Sequence, residues 1–219
     1  MIKKLINRIF DLFFPKQCVR CKISGYYFCP KCIGTIALPL NNQKLPDFVY
    51  PAKSYKDPHI KKAIWILKYK KRFDIANDLA NFIYDKMIED LSDLKTFTNF
   101  HSPLLVPIPI HKKTLRKRGF NQSEKLAHAV CKIDAGINFT FSDLLEKTKH
   151  TGHQARTKSK NERLKNLTNS FSVKKGVSVV GKNIILIDDV ITTGATLSEA
   201  KRILKLAGAK KIIAFTLAH

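Results

Sequence analysis

Two adjacent acids and the threonine-rich loop after them are the residues of this chain whose chemistry is easiest to name. Residues 184–187 are all aliphatic, Asp188 and Asp189 follow them, and residues 192–196 read Thr-Thr-Gly-Ala-Thr. A continuous apolar run is typical of a parallel strand that is buried on both faces. The acids would then lie at the carboxyl end of that strand, where open α/β sheets bind their ligands.

The loop after the acids carries the groups that hold a phosphate. Its threonines supply hydroxyls, Gly194 allows close approach of the backbone, and a helix predicted over 197–206 adds unpaired amides and a positive dipole end. The two carboxylates only accept hydrogen bonds, so they suit sugar hydroxyls or a cation and would repel a phosphate. The pattern predicts a ribose phosphate site. The alternative is an ordinary strand, turn and capped helix with the acids in solvent.

Four cysteines near the N-terminus form two Cys-x-x-Cys pairs. Cys18 pairs with Cys21, and Cys29 pairs with Cys32. Two such pairs can present four thiolates in the tetrahedral geometry that zinc prefers. Because sulfur would fill all four positions, we expect the metal to hold the local fold and to do no chemistry. Disulfides and a redox motif are the alternatives.

An aromatic run lies between the cysteine pairs. Tyr26, Tyr27 and Phe28 follow the basic residues Arg20 and Lys22. This mixture suits base stacking combined with attraction to phosphate. The commoner use of such rings is the small core of a short hairpin, so both interpretations stay open.

Two polar, basic segments are candidates for contacts with a diphosphate or with DNA. Residues 112–122 follow a strand predicted over 104–110 and precede a helix predicted over 123–133, so they lie at the same sheet edge as the acids. A solvated basic loop is the alternative there. Residues 147–166 form a long polar stretch, which is typical of a lid or of disorder. The candidate residues, which can bind phosphate through charge and hydrogen bonds, are Arg116, Lys117, Arg118, Gln122, Gln154 and Arg163.

The chain is strongly basic. It has 40 Lys and Arg against 17 Asp and Glu, a formal net charge of +23. Solubility alone does not require so much charge, so we expect a polyanionic partner. The basic residues recur along the whole chain instead of forming one tract, which favours nucleic acid over anionic lipid. A lysine-rich proteome is the alternative explanation.

No segment has the properties of a membrane span or a signal peptide. A spanning helix needs roughly 18 to 20 apolar residues, and no stretch of the sequence reaches that length. We therefore expect a soluble, cytoplasmic protein. Residues 2–13 carry an apolar stripe that could lie on a membrane surface, although packing against the N-terminal module is the favoured alternative.

The remaining pattern predicts alternating strands and helices. An edge strand over 48–55 is followed by helices over 58–69 and 74–90, and Trp65 on the first helix is expected in the core. No period is visible over 91–101. Further strands are expected over 177–180 and 212–217, and residues 138–145 are expected to form another strand or a short turn of the core.

This order of elements predicts the fold class and the domains. Strands and helices alternate from residue 104 onward, which favours an α/β fold with a doubly wound, mostly parallel sheet. We assign that sheet to residues 46–219. Residues 1–45 would form an N-terminal helix and a small zinc-binding module.

Residues 188–196 resemble the phosphoribosyl diphosphate (PRPP) signature of type I phosphoribosyltransferases at nearly every position. The resemblance implies that family's doubly wound sheet, with Asp188 and Asp189 on the ribose 2′- and 3′-hydroxyls and Mg²⁺ on the diphosphate. The residues that it assigns to the 5′-phosphate are Thr192, Thr193, Gly194, Ala195 and Thr196.

Taken together, the motifs resemble the ComF family of competence proteins over nearly the whole chain. Besides the cysteines and the acids, the resemblance rests on Val-Pro-Ile-Pro at 106–109, Arg-Gly-Phe-Asn-Gln at 118–122, Thr151-x-x-Gln154 and Arg163-x-x-Asn166. It implies a cytoplasmic bacterial protein that handles incoming single-stranded DNA in natural transformation. The DNA-uptake machinery at the inner membrane is then an expected partner.

Two other functions stay open. An Mg²⁺-dependent phosphoribosyltransferase of nucleobase salvage would use the same site, although a small base needs neither the cysteine module nor the +23 charge. A pure zinc-finger DNA-binding protein would explain the cysteines and the charge but not residues 188–196. Because the sequence identifies no acceptor nucleophile, it leaves open whether a transfer reaction occurs.

Overall fold

Strands joined by helices position the acid pair and its loop. The computed structural model describes residues 15–39, 45–70, 72–149 and 168–219. Its strands are β1 (Val49–Lys53), β2 (Leu104–Pro107), β3 (Thr140–Phe141), β4 (Leu145–Lys147), β5 (Phe171–Val173), β6 (Asn183–Val190) and β7 (Lys211–Ala218). Its helices are α1 (Pro30–Ile33), α2 (Pro58–Tyr69), α3 (Ile75–Thr98), α4 (Lys112–Arg118), α5 (Gln122–Asp134) and α6 (Ala195–Leu206).

Five strands form the main sheet in the order β1-β7-β6-β2-β3, and every neighbouring pair in it is parallel. The central strand is β6, where Ile184 lies opposite Ile212 of β7 and Leu104 of β2. β4 and β5 form a separate antiparallel pair. The predicted mostly parallel sheet is confirmed. Pro51 lies in the edge strand β1, where a residue without an N–H is tolerated.

Helices cover both faces of the sheet, because successive side chains of a strand point to opposite faces. Along β6, Ile185 and Ile187 belong to a core shared with α2, α3 and α5. Ile184 and Leu186 belong to a second core beneath α6. The predicted doubly wound arrangement is therefore confirmed, and the end of β6 is held firmly from both sides.

Residues 15–39, the described N-terminal segment, pack against α3. Tyr27 and Phe28 are buried. The ring of Phe28 meets Phe82 edge to face with a centroid distance of 5.1 Å, and the Tyr27 hydroxyl donates to Asp74 (3.0 Å). The stacking interpretation is therefore wrong for these two rings, because they fill a core that the segment shares with α3. Tyr26 remains exposed.

The predicted boundary between residues 45 and 46 adjoins residues 40–44, which lie outside the described residues, so the boundary stays a prediction. The apolar stripe over 2–13 also lies outside them. Within the described ranges, no helix combines the length and the apolar character that crossing a bilayer demands.

Two elements differ from the predicted pattern. α3 continues to Thr98 because Leu91 is buried one turn after Met87, while exposed residues 92 and 93 hide this period in the sequence. The strand expected over 177–180 is not formed, since those residues follow a turn and are largely exposed. The strand lies earlier, at β5, where Phe171 is buried.

Trp65 also differs from expectation, because it is 48% exposed. The core face of α2 consists of Ile60, Ala63, Ile64 and Leu67. Trp65 follows Ile64 directly and is turned away from that face. The expectation that it belongs to the core is therefore wrong.

Candidate functional site

The two acids lie near the end of β6, where α2 and α5 enclose them. Asp188 accepts hydrogen bonds from the Ser123 hydroxyl (2.8 Å) and from the backbone amide of Asp189 (2.9 Å). Asp189 is 4% exposed, accepts from the side-chain amide of Gln122 (3.2 Å) and forms an ion pair with Lys68 of α2. Both carboxylates therefore have fixed orientations.

Burial changes the protonation of this site. Loss of solvent, together with the neighbouring charge of Asp189, raises the pKa of Asp188 to about 7, although the Ser123 hydrogen bond acts in the opposite direction. Burial alone would lower the pKa of Lys68, but attraction to Asp189 outweighs it and the pKa is raised. The site thus holds an ion pair beside a carboxyl group that titrates near neutral pH.

The loop after β6 turns directly into α6. The Ile191 amide donates to the carbonyl of Ala218 (3.0 Å), which is the last pairing contact with β7. Gly194 then adopts a left-handed φ of +75°, and a Cβ at this position would lie 2.8 Å from Cγ of Pro46. Glycine is therefore required both for the backbone conformation and for the space. α6 begins at Ala195.

The hydroxyls of the loop lie beside the first amides of α6. Thr192 is exposed, while Thr193 and Thr196 are half-buried. The Thr193 hydroxyl accepts a long hydrogen bond from the Ala195 amide (3.4 Å). A helix N-terminus flanked by hydroxyls favours an anion. The loop consequently has the chemistry that the sequence predicts for a phosphate.

The basic segment before α5 is not the predicted loop, because residues 112–118 form the helix α4. This stretch contains neither Gly nor Pro, and the His111 side chain caps it by accepting from the Lys113 amide (3.1 Å). Gly119 ends the helix in the left-handed conformation. Local helix-forming residues and a cap therefore override the expectation of a loop.

A tight connection joins α4 to α5. The side chain of Asn121 accepts from the Ser123 amide (3.1 Å) and donates to the carbonyl of Ile108 (3.0 Å). Asn121 thus caps α5 and ties its start to the residue after β2. Gln122 and Ser123 are then the first residues of α5 and reach the acid pair.

The last turn of α4 brings cations to the same edge. Arg118 donates to the Gln122 side chain, which in turn donates to Asp189. Arg116 and Lys117 are exposed on the same turn. The structure therefore places Arg118 and Gln122 beside the acids, whereas Arg116 and Lys117 share the helical turn of Arg118. Gln154 and Arg163 lie outside the described residues, so their contacts stay predictions.

Three residues of the site were missed by sequence reasoning. Lys68 was missed because the helix over 58–69 was interpreted only through its apolar face. Ser123 directly follows the Arg-Gly-Phe-Asn-Gln motif, so its position was the one available signal. Lys147 at the end of β4 is attracted by Asp188, which partly offsets the lowering of its pKa by burial. Lys147 is the first residue of the polar stretch 147–166, but only the fold brings β4 to this edge.

The four cysteines of the N-terminal segment form a compact cluster. Their Sγ atoms all lie within 4.8 Å of one another, and those of Cys21 and Cys29 are 3.6 Å apart. Tetrahedral zinc with Zn–S bonds of about 2.3 Å places its sulfurs about 3.8 Å apart. Three of the cysteines are buried and Cys21 is exposed. The cluster could therefore hold a metal such as zinc.

The thiols of this cluster differ in acidity. Burial raises the pKa of Cys18, but hydrogen bonds from the backbone amides of Cys29, Cys21 and Arg20 outweigh it and bring the pKa to about 6. Burial and the neighbouring sulfurs raise the pKa of Cys32 to about 12. The lowered pKa of Cys18 favours the thiolate, which is the form that binds metal.

Curated relatives match different shares of the chain. Competence protein ComFC of Streptococcus pneumoniae is 37% identical over 125 residues, which are 57% of this chain and 50% of the relative. Competence protein F of Haemophilus influenzae is 30% identical over 160 residues, 69% of this chain and 64% of the relative. DNA utilization protein YhgH of Escherichia coli K12 is 27% identical over 212 residues, 89% of this chain and 85% of the relative. The chain thus spans about half the length of the first relative and 64% of the second.

Residues 115–219 match the family described as phosphoribosyl transferase domain. With the five-stranded parallel sheet and its helices, this match defines a protein of the type I phosphoribosyltransferase fold class. Within that fold class, the four-cysteine cluster and the competence proteins among the relatives indicate a particular family. Together these findings support a protein of the ComF family, as the sequence motifs predict.

Proposed function

We propose that the chain serves a ComF-type role in competence by handling single-stranded DNA and by binding PRPP or a related ribose phosphate. The observation that carries the ribose phosphate site is the continuity of β6, the acid pair, the threonine loop and α6. A few residues connect the two carboxylates, which accept hydrogen bonds, to the N-terminus of α6, which favours an anion. Few other ligands need both features so close together.

In this proposal each group has a separate role. The carboxylates of Asp188 and Asp189 accept hydrogen bonds from the ribose hydroxyls, and the loop over 192–196 surrounds the 5′-phosphate with amides and hydroxyls. Arg116, Lys117 and Arg118 supply positive charge for a diphosphate. Mg²⁺ would be bound mainly through the diphosphate oxygens, as it commonly is with such substrates.

Zinc in the four-cysteine cluster would have a structural role. All four positions are occupied by sulfur, so the metal keeps no open position for chemistry. Because Tyr27 and Phe28 join this segment to α3, the metal would also preserve that packing.

DNA handling is supported by charge and by the relatives. The net charge of +23 suits a polyanion, and the names of the relatives refer to competence and to DNA utilization. The uptake machinery at the inner membrane, as a partner, and peripheral attachment through residues 2–13 belong to the same proposal.

Calorimetric titration with PRPP, with and without Mg²⁺, tests the ribose phosphate site. We expect saturable binding by the parent chain and none by Asp188→Ala/Asp189→Ala. The matched control is Glu89→Gln/Asp93→Asn, two exposed acids near the end of α3, which leads to the opposite sheet edge. Unchanged binding in the Asp188 and Asp189 variant would reject the site.

A parallel assay of diphosphate release separates the two functions that share this site. Binding without release favours a DNA-handling protein that senses a ribose phosphate. Release that depends on an added nucleobase favours salvage, the second candidate, which the match to the phosphoribosyl transferase domain supports.

A further inference from the structure

The outer face of α2 carries large exposed aromatic side chains. Trp65 is 48% exposed and Tyr69 is 58% exposed. They are four residues apart, so they lie on the same helix face, and their ring centroids are 6.2 Å apart. Phe73, just beyond the helix, is a third ring with 39% exposure. The three rings, Trp65, Tyr69 and Phe73, form what we call the aromatic face.

A cation lies over each ring of the aromatic face. Lys70 lies over Trp65 with Nζ 5.1 Å from the ring centroid, and Lys125 lies over Phe73 at 5.3 Å. The guanidinium of Arg118, which also contacts Gln122, lies 6.0 Å from the ring of Tyr69. Residues 58–73 contain six lysines and arginines and no aspartate or glutamate. The cations over its rings therefore make the aromatic face predominantly positive.

The helix beneath the aromatic face is well anchored. Its opposite side is buried in the main core, and Asp57 caps its start by accepting from the amides of His59 (2.8 Å) and Ile60 (3.4 Å). Lys68, between the two helical rings, is bound to Asp189. Packing of the fold does not require Trp65 and Tyr69 to be aromatic, because both rings project away from the core. Exposed rings of this size on a rigid support are characteristic of an interaction site.

We infer that the aromatic face is a binding surface for single-stranded DNA, in which bases stack on Trp65 and Tyr69 while the surrounding cations bind phosphates. This inference rests on the proposed DNA-handling function and names its surface. Single strands expose the flat faces of their bases, whereas a duplex keeps them stacked inside. An anionic membrane would meet the same charge, but rings separated by cations suit alternating bases and phosphates better than a continuous apolar phase.

Trp65 is the only tryptophan of the chain, so its fluorescence reports on this surface alone. Titration of the full chain with oligo-dT is expected to quench the emission in step with binding measured by anisotropy of labelled DNA. Duplex DNA at equal phosphate concentration should quench much less. Anisotropy that shows oligo-dT binding while the emission stays constant would overturn the inference and leave DNA handling intact. A change in emission with anionic lipid vesicles but not with oligo-dT would overturn it in favour of a membrane surface.

Substitution of the rings gives an independent test. Trp65→Ala and Tyr69→Ala should each weaken oligo-dT binding about tenfold, while Trp65→Phe should retain most of the affinity, since stacking needs only a ring. The control Ile137→Ala removes an apolar side chain at the opposite sheet edge that is 78% exposed, and it should change nothing. A second comparison, Tyr26→Ala, removes the exposed ring of the cysteine segment.

The outcomes separate the surface from the function. If the parent binds oligo-dT and Tyr26→Ala is the variant that weakens binding, the DNA lies on the cysteine segment and the inference is wrong. If the parent does not bind oligo-dT at all, both the inference and the DNA-handling function fail. The circular dichroism spectrum and thermal unfolding of each variant check that its fold is preserved.

Discussion

The fold strongly changes the acidity of the half-buried carboxyl group of Asp188. It lies beside Asp189 in a site from which solvent is largely removed, so its ionised form is disfavoured. Ligand hydroxyls and cations favour that same ionised form. The arrangement therefore lowers the stability of the free protein and raises its affinity for ligand groups that favour the ionised carboxylate.

The raised pKa of Asp188 predicts a definite pH dependence of stability. Between about pH 4 and pH 7 the folded state holds a proton that the unfolded chain has released, so the free energy of unfolding falls as the pH rises through this window. The shift corresponds to at most about 4 kcal/mol. Asp188→Asn should remove this part of the dependence and should be more stable than the parent at pH 8. Denaturant unfolding at pH 5 and pH 8 measures it, and parallel curves for parent and variant would contradict it.

Lys68 is predicted to be essential for holding Asp189. Lys68→Met removes the cation and leaves a buried carboxylate without its partner, which should lower the free energy of unfolding by about 3 kcal/mol at pH 8. Asp189→Asn in addition should restore most of that loss, because the double variant no longer buries a charge. Urea unfolding of the four proteins of this cycle gives the coupling energy. Additive losses would show that the ion pair does not matter.

For single residues, the sequence predicts the groups that are proposed to contact a ligand better than the residues that hold those groups in place. The acids, the threonine loop and the cysteines follow one another closely, so their spacing alone indicates a site. Lys68, Ser123 and Lys147 come from three other elements and meet the acids only in the folded chain. Residues brought together by topology carry no local signal.

Among the elements, α4 contributes positive charge, and the cysteine segment contributes a cluster that could hold a metal. α4 points its last turn toward the acid pair and ends in a glycine. The cysteine segment has little regular structure beyond the short helix α1, so its stability depends on the cluster and on its two buried rings.

Neutralising α4 should weaken DNA binding in a salt-dependent manner. Replacing Arg116, Lys117 and Arg118 by Ala should lower the slope of log affinity against log salt by about two, if two or three of them neutralise phosphates of a single strand. The matched control replaces three exposed lysines of the opposite sheet edge, Lys132, Lys182 and Lys210. An equal change of slope in both triple variants would mean that the cations act only through total charge.

Loss of one cluster thiol should remove the metal and release its segment. Cys18→Ser is expected to reduce zinc from about one equivalent per chain to nearly none and to expose residues 15–39 to protease, because metal binding supplies the folding free energy of such a module. Cys131→Ser, which lies in α5 outside the cluster, is the control. Elemental analysis and limited proteolysis measure both effects. A segment that resists protease without bound zinc would refute the assignment.

The sequence predicts the helices and strands correctly where their hydrophobic pattern is strong. β6, β7, α2 and α5 agree with the sequence to within about two residues at most ends, since buried strands and one-sided helices leave clear periods. The failures have separate causes. Exposed residues masked the end of α3, apolar residues 177 and 180 suggested a strand although both are exposed, and Trp65 lies on the solvent side of a helix.

In the molecule as a whole, the two edges of the parallel sheet carry different groups. The carboxyl edge gathers the acid pair, the threonine loop, α4 and Lys147, whereas the amino edge carries exposed lysines and connections. A parallel sheet makes this separation unavoidable, because all its strands end on the same side. The excess of positive charge would therefore attract a polyanion to the loops of the carboxyl edge.

The position of Lys68 joins the two proposed ligands in one thermodynamic cycle. Its helix presents Trp65 and Tyr69 outward, while its own charge is held by Asp189. A ribose phosphate that rearranges Asp189 would therefore act on the ion pair that holds Lys68, in the helix that carries the two rings. Reciprocity then applies: whatever factor the sugar phosphate contributes to the affinity for DNA, DNA must return to the affinity for the sugar phosphate. Each of the two would act as an effector of the other, and one measured ratio, obtained from either side, fixes both.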